Sequence, residues 1–151
     1  MMRKFLFFSM ILLFVFSLMG CTENEVIQPK SKENNKIEIV RLDGKTVISL
    51  AVARVGESLL DVKYPHIIYN QENSIELQAF VDAIEKAEKV DGVFDMTAPN
   101  YQLTLTFEDK STAKYSLWLG VDGGSLMDEK ESHTLYRLPS NTIEDLNKYV
   151  K

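Results

Sequence analysis

Five side chains able to offer oxygen or nitrogen to a cation, Asp122, Asp128, Glu129, Glu131 and His133, fall within twelve residues. Clustered carboxylates suit calcium, a hard ion that takes oxygen ligands. The spacing does not match an EF-hand, whose ligands alternate along a twelve-residue loop closed by a glutamate. The expected reading is therefore a solvated hairpin loop without a metal, and Asp122, Asp128, Glu131 and His133 are the residues that a metal would have to use. The only imidazoles are His66 and His133. A zinc site built on that pair needs at least one more ligand, which nothing in the sequence marks. A catalytic pair needs a nucleophile in reach; Ser125 and Ser132 are the candidates, and neither sits in a G-x-S-x-G elbow. The run Asp122-Gly123-Gly124-Ser125 lacks the following helix and the lysine of a phosphate cradle, so it reads as a flexible turn. No set of side chains converges on a reaction. No catalytic residue and no cofactor is assigned, and an enzyme is not expected.

Trp118 is the one tryptophan. In the alternating run AKYSLWL, Tyr115, Leu117 and Leu119 share one side of a strand, which places Trp118 on the other side with Lys114 and Ser116. Thr104 and Thr106 of the preceding strand join them. A tryptophan on a polar sheet face is a stacking platform for a sugar, a peptide or a protein partner, so these five residues form a candidate binding face. The stronger expectation is that the acidic loop or the N-terminal strands cover the ring.

The single cysteine, Cys21, excludes an internal disulfide framework and any multi-cysteine metal site. It follows a short positive segment, Met1 to Lys4, and an apolar stretch, FLFFSMILLFVFSLM, over residues 5–19. That stretch is shorter than the roughly 20 residues a spanning helix needs, and it suits the apolar region of a secretory signal. Leu18-Met19-Gly20-Cys21 resembles the lipobox of bacterial lipoproteins. The thiol is the group to which a diacylglyceryl moiety is transferred, and a small residue before it admits the peptidase. Cleavage is expected after Gly20, leaving Cys21 as a lipid-bearing N-terminus and residues 1–20 as the signal. Two acyl chains anchor a protein stably where one does not. The expected location is the extracytoplasmic face of the cell membrane, with membrane lipid as the first partner. The alternatives are an uncleaved helical anchor or an ordinary signal with a chance cysteine.

Residues 22–36, TENEVIQPKSKENNK, carry no periodicity and read as a disordered linker. Fifteen such residues span about 20 Å root-mean-square, which is standoff from a bilayer. The first twenty residues hold two of the 17 Lys and Arg and none of the 22 Asp and Glu, so their removal takes the net charge from −5 to −7. An acidic body repels phosphate backbones, so nucleic acid is not an expected partner.

Residues 37–151 read as one globular domain. Ile37 to Leu42 is an expected first strand, Asp43-Gly44 a turn, and residues 46–55 a second strand. Pro65 should break the chain before a short apolar run, His66 to Tyr69. A helix is expected over about 74–89, opened by an Asn73–Glu76 capping box and carrying Leu77, Phe80, Val81, Ile84 and Ala87 on one stripe, with Gly92 as its stop. A hairpin of residues 102–107 and 113–119 follows, then an acidic loop over 120–132, a strand from His133 to Leu138, and a final helix over 142–150 capped by Thr142 and Asp145. The expected class is α+β: a mainly antiparallel sheet with the two helices packed on one face.

The helix LQAFVDAIEKA, the link Val93-Phe94-Asp95-Met96 leading to Pro99-Asn100-Tyr101, the hairpin QLTLTFEDKSTAKYSLWL and the late Thr134-Leu135-Tyr136-Arg137-Leu138 resemble the YhfM-like domain of small Gram-positive lipoproteins. The likeness covers about residues 60 to 150. It implies a lipoprotein with an uncharacterised domain and carries no catalytic residues onto this chain. The reading that follows is a membrane-anchored, non-enzymatic binding or accessory module at the cell envelope. Its partner is expected to be an envelope protein, a peptide or a wall component. The alternative is a metal-dependent protein or enzyme using the acidic 122–133 loop.

Overall fold

The alternation of residues 102–119 builds the middle of the sheet. The computed structural model describes residues 38–151; the expected signal, Gly20, Cys21 and the expected linker lie outside them. Strands β5 (Tyr101–Phe107) and β6 (Thr112–Leu119) pair antiparallel, with Leu103 opposite Tyr115 and Leu105 opposite Ala113. Their inward residues are buried, among them Leu103, Leu105, Tyr115 and Leu117. Lys110, at φ 66°, turns the chain between them. Lys45 and then Ser111 donate to the Asp109 carboxylate beside that turn, which holds its carboxyl far below the usual range.

The other strands extend this pair on both sides. In chain order they are β1 (Arg41–Leu42), β2 (Lys45–Val55), β3 (Val62–Asn70), β4 (Glu88–Val90), β7 (Gly124–Asp128) and β8 (Leu135–Arg137). They form an eight-stranded sheet in the order β1-β2-β5-β6-β7-β8-β4, with β3 also paired to β2. Every pairing is antiparallel. The class is α+β, dominated by the sheet, with helices α1 (Ser74–Glu85) and α2 (Ile143–Tyr149). Leu77, Phe80 and Val81 of α1, Ile143 and Leu146 of α2, and the inward strand residues belong to one buried cluster.

Several elements depart from the expectation, each for a local reason. The first strand is only two residues long, because beyond Val47 the edge of β2 is taken by β3, starting with Ser49 opposite Asn70. Asp43 and Gly44 turn β1 into β2 with φ of 50° and 76°; positive φ at both positions is what a type I′ hairpin turn requires. Pro65 does not break the chain but sits inside β3, opposite Ala53. Proline has no N–H to give a ladder, and it is tolerated here because among the described residues β3 pairs with β2 alone and is irregular at this point. Val52 faces Ile67 while Ala53 faces Pro65, so His66 is an extra residue on β3. A second shift follows between Ala53 and Val55. Two bulges and a proline blunt an edge that would otherwise template pairing with another chain.

Helix α1 ends four residues early, at Glu85. The N–H groups of Lys86 and Ala87 close its last turn onto Asp82 and Ile84, and Glu88 to Val90 peel off to pair with β8. Gly92 is therefore not the helix stop; it lies beyond β4 at φ 142°. Asn73 makes no side-chain cap to α1, and the capping box belongs to the 3₁₀ turn before it. There Asn70 Oδ1 accepts from Glu72 N–H, and Asn73 Oδ1 accepts from Asn70 N–H. Thr142 likewise donates its hydroxyl to Pro139 O instead of capping α2. The expected acidic loop over 120–132 contains β7, whose Leu126 is buried between Leu117 and Tyr136 of the flanking strands.

Candidate functional site

Outward-facing residues of neighbouring strands line up across the sheet. Gln102 of β5 lies opposite Ser116 of β6, and Ser116 opposite Met127 of β7. One step further along, Trp118 lies opposite Ser125. Gln102, Ser116, Trp118 and Met127 line a groove of about 590 Å³. Two loops complete it: Glu57 to Leu59, with Val62 at the start of β3, and Phe94 to Pro99. Both loops bring apolar groups to water, with Leu59 60% and Phe94 38% exposed.

The loops are held by specific bonds. Gly56 N–H donates to Asp61 O and Asp61 N–H to Ser58 O, each at 2.9 Å, which closes the 56–61 turn. The segment before β5 is tied to the sheet through Asn100. Its N–H donates to Leu117 O, its Oδ1 accepts from Leu119 N–H, and its carbonyl accepts from Val55 N–H. One residue thus links β2 to β6 at the head of β5. The indole N–H of Trp118 donates to Thr97 O at 2.9 Å. Trp118 is half-buried, and the 94–99 segment, which was not foreseen as its cover, meets the edge of the indole through Thr97 O.

Of the five residues of the expected face, Trp118 and Ser116 line the groove. Lys114, Thr104 and Thr106 lie on the same outward side but outside it. Thr104 is opposite Lys114, Thr106 opposite Thr112, and Lys114 Nζ is 3.9 Å from Glu129 Oε2. Gln102 Nε2 donates to the other Glu129 oxygen at 2.7 Å. Among the described residues the charged side chains that line the groove, Glu57, Asp128 and Glu129, are all acidic. Alternation located Trp118. Leu59, Phe94 and Met96 were missed, because they sit in loops where apolar residues follow no period.

The metal and acid–base candidates do not assemble. Asp122 precedes β7 and Asp128 ends it, so the strand separates them. Asp128 Oδ1 accepts from Lys130 N–H, Glu131 accepts from the Tyr136 hydroxyl at 3.0 Å, and His133 is exposed. Among the described residues no three or more His, Cys, Asp or Glu side chains are placed to hold a metal ion. Ser125 is a strand residue opposite Trp118, and Ser132 is an exposed residue at the groove's end. His66 has other work: its Nε2 donates to Val150 O at 3.0 Å at the end of α2, and its ring stacks on Tyr101 at 6.1 Å. The bulge that makes His66 an extra residue re-aims its side chain for this contact.

Residues 61–151 match the sequence profile of a family described as YhfM protein. The chain belongs to the YhfM family. The match runs from the end of the 56–61 loop to the C-terminus, so it takes in Trp118, the 94–99 segment and both helices. Strand β2, with Val47, Leu50 and Val52 fully buried, precedes it and is nevertheless part of the same core. No curated protein and no solved structure matches this YhfM chain. Among the described residues no helix is long and apolar enough to cross a membrane.

Proposed function

We propose that this YhfM protein is a lipoprotein, held on the extracytoplasmic face of the cell membrane through Cys21, whose domain binds a peptide segment without catalysing a reaction. In this reading both helices occupy one side of the sheet and leave the opposite side, with Trp118, for binding. The observation that carries it is the groove, in which an indole and a row of strand side chains lie between two loops that expose Leu59 and Phe94. Apolar groups held open beside a tryptophan are what a partner's side chains would bury. The lining carboxylates of Glu57, Asp128 and Glu129 favour a segment that is basic as well as apolar. The anchor rests on the sequence alone: a basic start, an apolar stretch, and the one thiol behind Leu18-Met19-Gly20.

Two measurements test the two halves. Metabolic labelling with a fatty-acid analogue should tag the native protein and leave Cys21→Ser unlabelled and released from membranes; equal retention of the two ends the anchoring proposal. Trp118, as the sole tryptophan, reports on the groove. Its emission should shift saturably with a leucine- and lysine-rich peptide and not with a leucine- and glutamate-rich one, and Leu59→Ala should weaken the response. No saturable shift with any peptide removes the binding proposal.

A further inference from the structure

Behind β6, on the side opposite Trp118, a second cavity of about 510 Å³ is lined by Tyr115, Tyr136, Asp43, Glu85, Asp128 and Glu131. Alternation puts Tyr115 and Trp118 on opposite faces of their strand. Among the described residues the charged side chains lining it are all carboxylates, and Leu42, Ile84, Ala87 and Leu126 supply an apolar remainder. The register brings two cations beside it, Lys89 opposite Tyr136 and Lys45 opposite Leu42, and neither is part of the lining.

Acidic residues alone would be a solvated surface. Tyr115 makes the difference. The residue is only 7% exposed, and among the described residues its hydroxyl has no hydrogen-bond partner. Burial first, then the charges of Asp128 and Asp43 and the neighbouring Tyr136, pushes its pKa up to about 12. Tyr115 lines the cavity together with those three neighbours. It is not sealed there either, since no fully buried side-chain oxygen or nitrogen among the described residues lacks a partner. A phenol held rigidly by packing, with its oxygen open to a carboxylate-lined cavity, is a poised acceptor. The carboxylates are too dispersed to close on a bare metal ion. They suit a larger cation whose charge is carried on a hydrogen-bonding head and whose body is apolar.

We infer that this cavity binds an alkylammonium group, its N–H donors directed at the Tyr115 oxygen and the surrounding carboxylates and its methylene chain laid against Leu42, Ile84 and Leu126. Two sources carry that chemistry: a free aliphatic diamine and the lysine side chain of a polypeptide. The cavity is separate from the Trp118 groove, although Asp128 borders both.

The full chain in detergent is titrated with 1,5-diaminopentane, with a Gly-Lys-Gly amide and with calcium chloride, following Tyr115 and Tyr136 ring signals by NMR. Saturable shifts with the diamine alone identify a free amine as the ligand; shifts with the tripeptide alone identify a partner's lysine; both outcomes support the site. Tyr115→Phe, which keeps the ring and its packing, and Glu131→Gln should each weaken binding at least about five-fold. Trp118→Ala should leave it unchanged, which separates this site from the groove. The inference is overturned if neither amine saturates, if Tyr115→Phe binds as tightly as the native chain, or if calcium binds and displaces the amine.

Discussion

The indole nitrogen of Trp118 lies 2.9 Å from the carbonyl oxygen of Thr97, and this one bond joins the floor of the groove to the segment above it. Gly92, at φ 142°, where an added Cβ would sit a tight 3.3 Å from the tip of the Phe94 ring, admits the chain to that segment. Trp118→Phe keeps an aromatic floor but deletes the donor. The loss of one half-exposed hydrogen bond should cost about 1 kcal/mol, measured by urea unfolding. Amide exchange of residues 94–98 should quicken while β5 and β6 stay protected. Unchanged exchange in that segment would show that the bond does not hold it.

Asn100 should matter more to stability than its exposure suggests. Its backbone and side chain bond to three different residues on β2 and β6, and no other side chain of that length presents the Leu119 N–H with a neutral amide oxygen. Asn100→Ala keeps the backbone bonds and removes only the side-chain acceptor. Leaving the Leu119 N–H without its partner should cost roughly 1–2 kcal/mol. Asn100→Asp, which retains an acceptor oxygen, should recover most of that in the same unfolding experiment.

The last carbonyls of α2 are met from β3: His66 Nε2 donates to Val150 O, and the Tyr69 hydroxyl donates to Tyr149 O at 2.7 Å. A seven-residue helix has little intrinsic stability and depends on packing and on such end contacts. Tyr69→Phe and His66→Ala should each lower stability by about 1 kcal/mol. In both variants α2 should exchange its amides faster than α1 does. If the two helices respond alike, the β3 contacts do not secure α2 in particular.

How far the fold was legible depends on where its signal sat. The β5–β6 hairpin and the Leu77–Phe80–Val81 stripe carry strong periods, because each buries one face against the same core. Strand β7 has a single buried residue, Leu126, among Gly124, Ser125, Met127 and Asp128, so its alternation was lost in an acidic stretch. Strand β4 has no apolar pattern at all; Glu88, Lys89 and Val90 are a strand only because the open edge of β8 pairs them. Pro65 reads as a breaker unless it is known that β3 is a bulged edge. The site divides in the same way. Trp118 follows from strand parity. Leu59, Phe94 and the Thr97 carbonyl reach it from loops, whose positions are set by bonds to distant residues rather than by local propensity.

Alkaline stability should depend on Tyr115. Its pKa rises from 10.0 in the unfolded chain to about 12 in the fold, chiefly through burial and then through Asp128 and Asp43. The folded state thus holds the phenolic proton more tightly than the unfolded state. The stability this represents is intact below pH 10, where both states are protonated, and drains away as pH climbs through the folded value near 12. A two-unit difference corresponds to roughly 2–3 kcal/mol of stability lost across that window. Tyr69, raised mainly by burial, and Tyr136, raised mainly by its bond to Glu131, add losses of the same sign. Tyr115→Phe isolates the contribution. Because the hydroxyl has no partner among the described residues, the variant should match the native chain at pH 8 and become the more stable of the two by pH 12. Denaturation curves recorded at both pH values decide it: parallel declines in the two proteins would mean that the Tyr115 proton is held no more tightly in the fold than outside it.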